Sequence, residues 1–538
     1  MHMRFIPASD TALLVELEGL SAAMALHRAL LARPIAGVEE LVPAARTLLV
    51  GYRPAAIAVS ALIEALRERG AGVDLAHAGE EAGRCVEIPV LYNGEDLPEV
   101  AELLGISVRE VIARHTGQPW QAAFAGFAPG FVYLAGGHPS FRVPRRTSPR
   151  TKVPAGSVAL GGDFSAVYPS ASPGGWQLIG VTGVPMWDMG RAEPAYVQPG
   201  FQVQFRDAGE AAVHVSLPPL RDFKEKSVPS QSSQSQQAIE LVATGLQALV
   251  QDAGRVGMAG LGLSPSGALD APAMREANRL VGNPVHTPVI ENLLGGLQLR
   301  CHGQATVAVT GAQAPLTLRA ADGRTWPVAS TQAVALDEGD VLSIGTPSAG
   351  VRCYVAVRGG WQVESVLGSC ATDTLALVGP PALQAGQRLG IGGAHPLQAV
   401  QAERGTEPAL PRAGELVTLD VVLGPRTDWF TPEALQTFAT QEWRVTPQSN
   451  RVGMRLEGAQ PLARTRSDEL PSEGTVTGAI QVPISGQPVL FLADHPLTGG
   501  YPVIGAVATH HLGLAAQIPV GCRVRFNVVA PFFEQVTP

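Results

Sequence analysis

No part of this chain runs far before a glycine or a proline interrupts it. There are 60 glycines and 44 prolines among 538 residues, roughly a fifth of the chain where about 12% is usual. A hydrophobic fraction of 46% is too high for a disordered chain. No collagen period or heptad array organises the glycines. The pattern therefore implies a packed fold of many short strands joined by turns, because Gly supplies φ > 0 and Pro presets φ. Only 16% of residues are charged, with a net charge of −8, which argues against nucleic acid or an anionic membrane as the main partner. No run reaches about 18 apolar residues, so no transmembrane helix is expected. Met1–Glu18 lacks the basic and then apolar order of a secretory leader. The cysteines (Cys85, Cys301, Cys353, Cys370, Cys522) form no CxxC pair. They read as buried small hydrophobes in a reducing, cytoplasmic setting.

The first 80 residues have their own texture. Ser21–Ala32 and Ala55–Arg69 show helical spacing, the second stopped at Gly70. Arg4–Leu17 and Thr47–Tyr52 read as strands. A small α+β domain is expected over 1–82. Cys85–Tyr92 alternates as a strand. Asp96/Glu99 and Ser107/Glu110 have capping-box spacing, which predicts helices Leu97–Leu104 and Val108–Thr116, the latter stopped by Gly117. Short β-runs then fill a β-barrel unit over 83–222. The Ser/Gln-rich run Ser227–Gln237 reads as a flexible linker within 223–237. The remaining 238–538 is again β-rich, with strands at Ala305–Thr310, Val351–Val357, Val417–Leu423, Gly478–Val482 and Val489–Ala493. Asp270 is expected to cap a helix Ala271–Val281 closed by Gly282, and Gln398–Glu415 to be a long loop.

Several standard signatures are absent. There is no GxxxxGK[ST], HExxH or GxSxG, and no Met-Lys-Met biotin-attachment sequence. A hydrolase of standard local signature is not supported. Three stretches stand out instead. In Phe127–Pro154, Arg142, Arg145, Arg146, Arg150 and Lys152 cluster within eleven residues of an acidic chain. They form either a solvated loop or an anion site. The Gly-rich continuation Ala155–Gly180 favours the anion site, because its backbone N–H groups can form a nest. In Gln251–Asp270, the polar residues Gln251, Asp252, Arg255, Ser266 and Asp270 stand among glycines. Asp270 and Asp252 have a plain structural reading as cap and turn residues; a ligand-facing loop is the alternative. In Ser472–Val507, Glu473, Gln481, Gln487, Asp494, His495 and Tyr501 sit near turns. Asp494 and His495 are adjacent, so on a strand they would face opposite ways. His510 and His511 lack a recognisable third ligand, and no metal site is read from the sequence.

Together these stretches resemble a known family. YNGEDLPEVAELLGISVREVIARHT, GFAPGFVYL, PRRTSPRTKVPAGSVALGG and SPGGWQLIG resemble allophanate hydrolase subunit 1 (KipI/PxpB). QDAGRVG, SGALD, NPVHTPVIENLLGG, LGSCATDT, SNRVGMRLEG and EGTVTGAIQVPISGQPVLFLADHPLTGGYP resemble subunit 2 (KipA/PxpC). The order is that of a fused subunit 1–subunit 2 protein, related to the carboxyltransferase domain of urea carboxylase. The resemblance implies a mainly β fold with α+β: a small N-terminal domain followed by two cyclophilin-like β-barrel modules. It also implies the B–C component of a 5-oxoprolinase that hydrolyses 5-oxoproline to glutamate, using ATP with Mg²⁺ and a LamB/YcsF-type (PxpA-like) partner. The substrate would be a small-molecule carboxylate, and assembly into a homo-oligomer is compatible. The alternatives are a biotin-dependent carboxyltransferase module for a urea-like substrate and a KipI/KipA-type regulator of a histidine kinase.

On this reading the expected catalytic residues are Arg145, Arg146 and Arg150, with Glu473, Asp494 and His495. The substrate is expected to meet Phe127, Pro129 and Gly130, then Gly156, Ser157, Gly161 and Gly162. Tyr168, Ser172, Gly174, Gly175 and Trp176 continue that wall. The second half is expected to add Gln251, Asp252, Arg255, Ser266, Gly267 and Asp270. Arg451, Arg455, Gln481, Gln487, Thr498 and Tyr501 complete it. Two departures stand out. Phe164 and Val181 occupy positions where subunit 1 relatives often carry Gln and Arg, in GGxQTGxYP and IGRTP.

Overall fold

The computed structural model describes residues 2–72, 83–209, 237–466, 468–530 and 535–536. It is mainly β, as the glycine and proline punctuation requires. No described helix is long and apolar enough to cross a membrane.

The N-terminal sheet is antiparallel, in the order Val38–Pro43, Thr47–Tyr52, Ala12–Glu16, Arg4–Ser9 and Gln535–Val536. The apolar run Arg4–Leu17 is a hairpin rather than one strand. It breaks at Asp10–Thr11, where the Ser9 hydroxyl accepts the Thr11 N–H at 3.1 Å. Helices Leu20–Ala32 and Val59–Ala71 bury Leu26, Leu62 and Leu66 against Phe5, Leu13 and Leu48. The second helix starts four residues later than its spacing suggested and runs past Gly70.

Residues 85–207 form a seven-stranded sheet in the order Gln177–Val181, Ser157–Gly161, Phe164–Val167, Val132–Ala135, Trp120–Ala125, Gln202–Asp207 and Cys85–Val90. A bridge between Leu91 and Val181 brings the two edges together, so the sheet is nearly closed. Helices Leu97–Leu104 and Val108–Thr116 have the expected bounds. Ser107 caps the second by accepting the Glu110 N–H at 3.2 Å. Asp96 does not cap the first. Its carboxylate accepts instead from the Leu178 N–H at 2.7 Å and from Arg146 and Arg150. Tertiary ion pairing has overridden the local signal.

The second half holds two cores. From 238 to 390, a six-stranded and a five-stranded sheet share Ile239, Leu299, Val307, Val355 and their neighbours. From 416 to 530, seven strands close a barrel in which Leu416–Leu423 pairs in parallel with Arg523–Ala530. Asp270 caps helix Ala271–Leu280 through the Ala273 N–H. The sequence reading missed helix Pro432–Thr440, capped by Thr431, which stacks Phe438 on Phe526 at 4.6 Å. Residues 398–414 carry no strand or helix. All five cysteines are free; Cys85 is exposed, contrary to the expectation of burial, because it opens an edge strand.

Ser227–Gln236 lies outside the described residues. The two halves it joins are packed together. Arg426, buried in the C-terminal barrel, forms an ion pair with Glu473 and reaches Glu16 of the N-terminal sheet. Burial opposes the charge on Arg426, but Glu473 and Glu16 outweigh it and hold the guanidinium protonated. Thr509 donates to Asp10 through both its N–H and its hydroxyl, and the Gly257 N–H donates to Glu40.

Candidate functional site

A cavity of about 320 Å³ opens where the two halves meet. Its aromatic wall comes from the first half: Phe127, Phe131, Tyr133, Tyr168 and Trp176. These rings pack edge to face, with Phe131–Tyr168 and Phe131–Trp176 centroids 5.3 and 5.5 Å apart. Burial pushes the Tyr168 hydroxyl up to about 12, so it stays protonated as a donor. The second half supplies Gln481, Phe491, Thr498, Tyr501 and Arg464. The rim carries Asp468, Glu469 and the exposed Ile484. Hydrogen bonds fasten the walls together. The Phe127 N–H donates to Thr498 Oγ1 at 3.0 Å, and Tyr133 and Ser472 share a bond of 3.1 Å. Glycine is needed at 174, where a Cβ would come within 2.3 Å of the Tyr168 hydroxyl.

The charges in this cavity are unequal. Arg146 lines it, but Arg146 and Arg150 both donate to Asp96, at 2.8 and 2.7 Å. Asp96 is 3% exposed, so the pairing is a built part of the first-half core. Arg150 also pairs with Glu95 and does not line the cavity. Arg145 is held more loosely. It donates to the Ser472 hydroxyl at 3.2 Å, lies 3.8 Å from Glu469, and sits over the Trp176 ring. Arg464 makes no ion pair with any described residue. One Nη donates to the Val482 carbonyl, its Nε is buried without a partner, and it stacks over Tyr501. Burial lowers its pKa, since no carboxylate compensates. Sequence reasoning missed it, because Arg464 sits in a mixed-charge run with Arg466, Asp468 and Glu469 that reads as an ordinary exposed loop.

The structure brings many expected residues to this cavity: Phe127, Arg145, Arg146, Tyr168, Gly174, Gly175, Trp176, Gln481, Thr498 and Tyr501. Others support it from behind or lie elsewhere. Gly161 and Gly162 line an adjoining cavity of about 470 Å³ that shares Arg145 and Ser472 with the first. Phe164 lies there too, 5.6 Å from the Tyr133 ring, while Val181 is exposed at the sheet edge. Pro129 is buried, and the Gly130 N–H donates to the Leu261 carbonyl across the halves. Gly156, Ser157 and Ser172 belong to the strands and turn behind the wall.

The Gln251–Asp270 loop is bound up in a buried network rather than lining the cavity. Gln251 donates to the Thr372 carbonyl. Asp252 accepts from the Ser369 hydroxyl and the Cys370 N–H, each at 2.6 Å. Arg255 donates to the Ala371 carbonyl, and Asp270 is the helix cap. Arg451 is the hub: it binds Asp494, Glu291 and the Gly267 carbonyl. Ser266 also donates to Asp494, at 2.7 Å. Burial disfavours the Asp494 charge, but Arg451 outweighs it and holds the carboxyl below its usual range. Asp494 and His495 lie in the turn after strand Val489–Phe491, not on a strand. His495 stacks on Phe491, and burial keeps it neutral. Glu473 is taken up by Arg426. Arg455 is exposed on its strand, and Gln487 bonds the Gly458 backbone.

Family models described as "Carboxyltransferase domain, subdomain C and D" and "Carboxyltransferase domain, subdomain A and B" match residues 3–197 and 261–528. The chain is 35% identical to the C component of the 5-oxoprolinase of Escherichia coli strain K12 over 291 residues, which is 54% of this chain and 90% of that protein. It is 41% identical to the B component of the 5-oxoprolinase of Escherichia coli O157:H7 over 172 residues, 31% of this chain and 77% of that protein. The crystal structure of TTHA0988 matches with a TM-score of 0.79 and 34% identity, covering 96% of this chain and 100% of that one.

Proposed function

Because this chain belongs to the carboxyltransferase-domain family, with a half like the B component of 5-oxoprolinase followed by a half like its C component, we propose that it is the fused B–C component of an ATP-dependent 5-oxoprolinase. In this reading it opens 5-oxoproline to glutamate in the cytoplasm, together with a LamB/YcsF-type partner. The observation that carries the reading is the aromatic cavity that needs both halves and holds the unpaired Arg464. 5-Oxoproline is a small flat lactam with one carboxylate. The Trp176, Tyr168 and Phe131 walls suit the ring. Arg464, half-buried and without a carboxylate partner among the described residues, suits the carboxylate. Arg145 is the second cation on the wall, available for charge that develops on the lactam oxygen. ATP with Mg²⁺, when bound, supplies the phosphoryl group that turns a stable amide into one with a better leaving group. The residues that would face it are Arg145 and the rim carboxylates Asp468 and Glu469.

The test is reconstitution. The purified chain, the LamB/YcsF-type partner, ATP, Mg²⁺ and 5-oxoproline should yield glutamate. Absence of glutamate from a folded mixture rejects the reading. The description of the family models favours a second reading, carboxyl transfer to a urea-like substrate. This chain has no Met-Lys-Met attachment sequence, so that reaction would need a biotin carrier from another chain. Carboxyl transfer from a carboxylated carrier, with no glutamate formed, would support it.

A further inference from the structure

His510 and His511 end a short turn, Thr509–His511, that follows the barrel strand Val503–Val507. The fold supplies the partner that the sequence does not reveal: Asp420, from the barrel strand Leu416–Leu423. We propose that Asp420, His510 and His511 form a binding site for a transition-metal dication such as Zn²⁺, which would staple the C-terminal barrel where it meets the N-terminal sheet.

The geometry fits. One ligand atom from each residue lies within 4.8 Å of the other two. His510 Nε2 is 2.9 Å, and His511 Nδ1 3.7 Å, from the same Asp420 Oδ2. Tetrahedral ligands at zinc–nitrogen and zinc–oxygen distances of about 2.1 Å stand about 3.4 Å apart, and the two observed separations bracket that value. His511 Nδ1 is unprotonated and accepts the Asp420 backbone N–H at 2.9 Å, a hydrogen bond that an ion bound through this nitrogen would replace. Asp420 Oδ2 is also an acceptor.

The carboxylate is already oriented. Asn527 donates to its other oxygen at 2.8 Å, the kind of outer support that metal-binding carboxylates use. Two imidazoles and one carboxylate select Zn²⁺, Ni²⁺ or Cu²⁺ over Mg²⁺ or Ca²⁺. His510 is exposed, so an ion can enter and water can complete the coordination. None of the three residues lines the interfacial cavity. Their neighbour Thr509 binds Asp10 of the N-terminal hairpin, so an ion here would fix the turn that carries that contact.

The experiment uses the full chain stripped of metal, titrated with Zn²⁺ by calorimetry and followed by thermal melting. One Zn²⁺ should bind per chain and raise the melting temperature, and Mg²⁺ should do neither. His510→Ala and Asp420→Asn should each weaken that binding at least tenfold and remove the thermal shift, with unchanged far-ultraviolet circular dichroism. If the wild-type chain binds no Zn²⁺, or if both folded variants bind it as the wild type does, the site is rejected.

Discussion

Arg146 and Arg464 line one cavity from opposite halves of the chain, and they are held in opposite ways. Arg146 shares the buried carboxylate of Asp96 with Arg150. Arg464 has a backbone carbonyl, an aromatic face and a buried Nε with no partner. Arg146 buries an unpartnered Nε as well; what separates the two is the carboxylate, which Arg146 has in Asp96 and Arg464 lacks among the described residues. Clustered cations in a sequence therefore do not locate an anion site. What matters is which cation the fold leaves unmatched.

Substitutions can break or sharpen that contrast. Arg464→Ala should lower kcat/KM for 5-oxoproline by 100-fold or more, of the order seen when a stabilising donor is removed, with little change in melting temperature. Arg146→Ala should lose stability and keep activity within about tenfold. The reverse pattern would overturn the assignment. Asp96→Ala should cost on the order of 3 kcal/mol in a urea melt, because it leaves two partly buried guanidinium groups and the Leu178 N–H without their acceptor. A loss under about 0.5 kcal/mol would mean the pairing is only superficial.

Acid should also act on the first half. His115 is fully buried between Tyr92 and Ser165, and burial pushes it down to about 3. It stays neutral in the folded state while the unfolded chain takes up a proton below its ordinary value of about 6.5. The stability it contributes is therefore complete above that value and is lost as pH falls through it. Between pH 7 and pH 5 His115 alone should account for about 2 kcal/mol of lost stability, so His115→Gln should show a pH dependence shallower by about that amount in the same urea melts. Ser107→Ala should show the smallest effect, about 0.5–1 kcal/mol, seen as a small drop in the urea midpoint.

Much of the fold was legible where local chemistry decides it. Helices Leu97–Leu104 and Val108–Thr116 announce themselves by periodicity and by glycine stops. The hairpin within Arg4–Leu17 was not legible, because two residues suffice to reverse a strand and Asp10–Thr11 carries no glycine. Asp96 was misread as a cap because its true partners lie 50 and 54 residues away. Phe127, Tyr168 and Trp176 of the aromatic wall were expected from the first-half motifs, whereas Phe131 and Tyr133, which also line it, were not singled out. Nor was Arg464, since its meaning lies in a missing counter-charge, which only packing reveals. The acidic and basic residues of Gln251–Asp270 looked ligand-facing and instead tie loops to Arg451 and to one another.

The most direct test is a crystal structure of the chain grown with saturating 5-oxoproline. The account predicts the ligand in the cavity between the halves, its ring against Trp176 and Tyr168 and its carboxylate on the Arg464 guanidinium. Ordered ligand elsewhere, with this cavity free of it, would contradict the account.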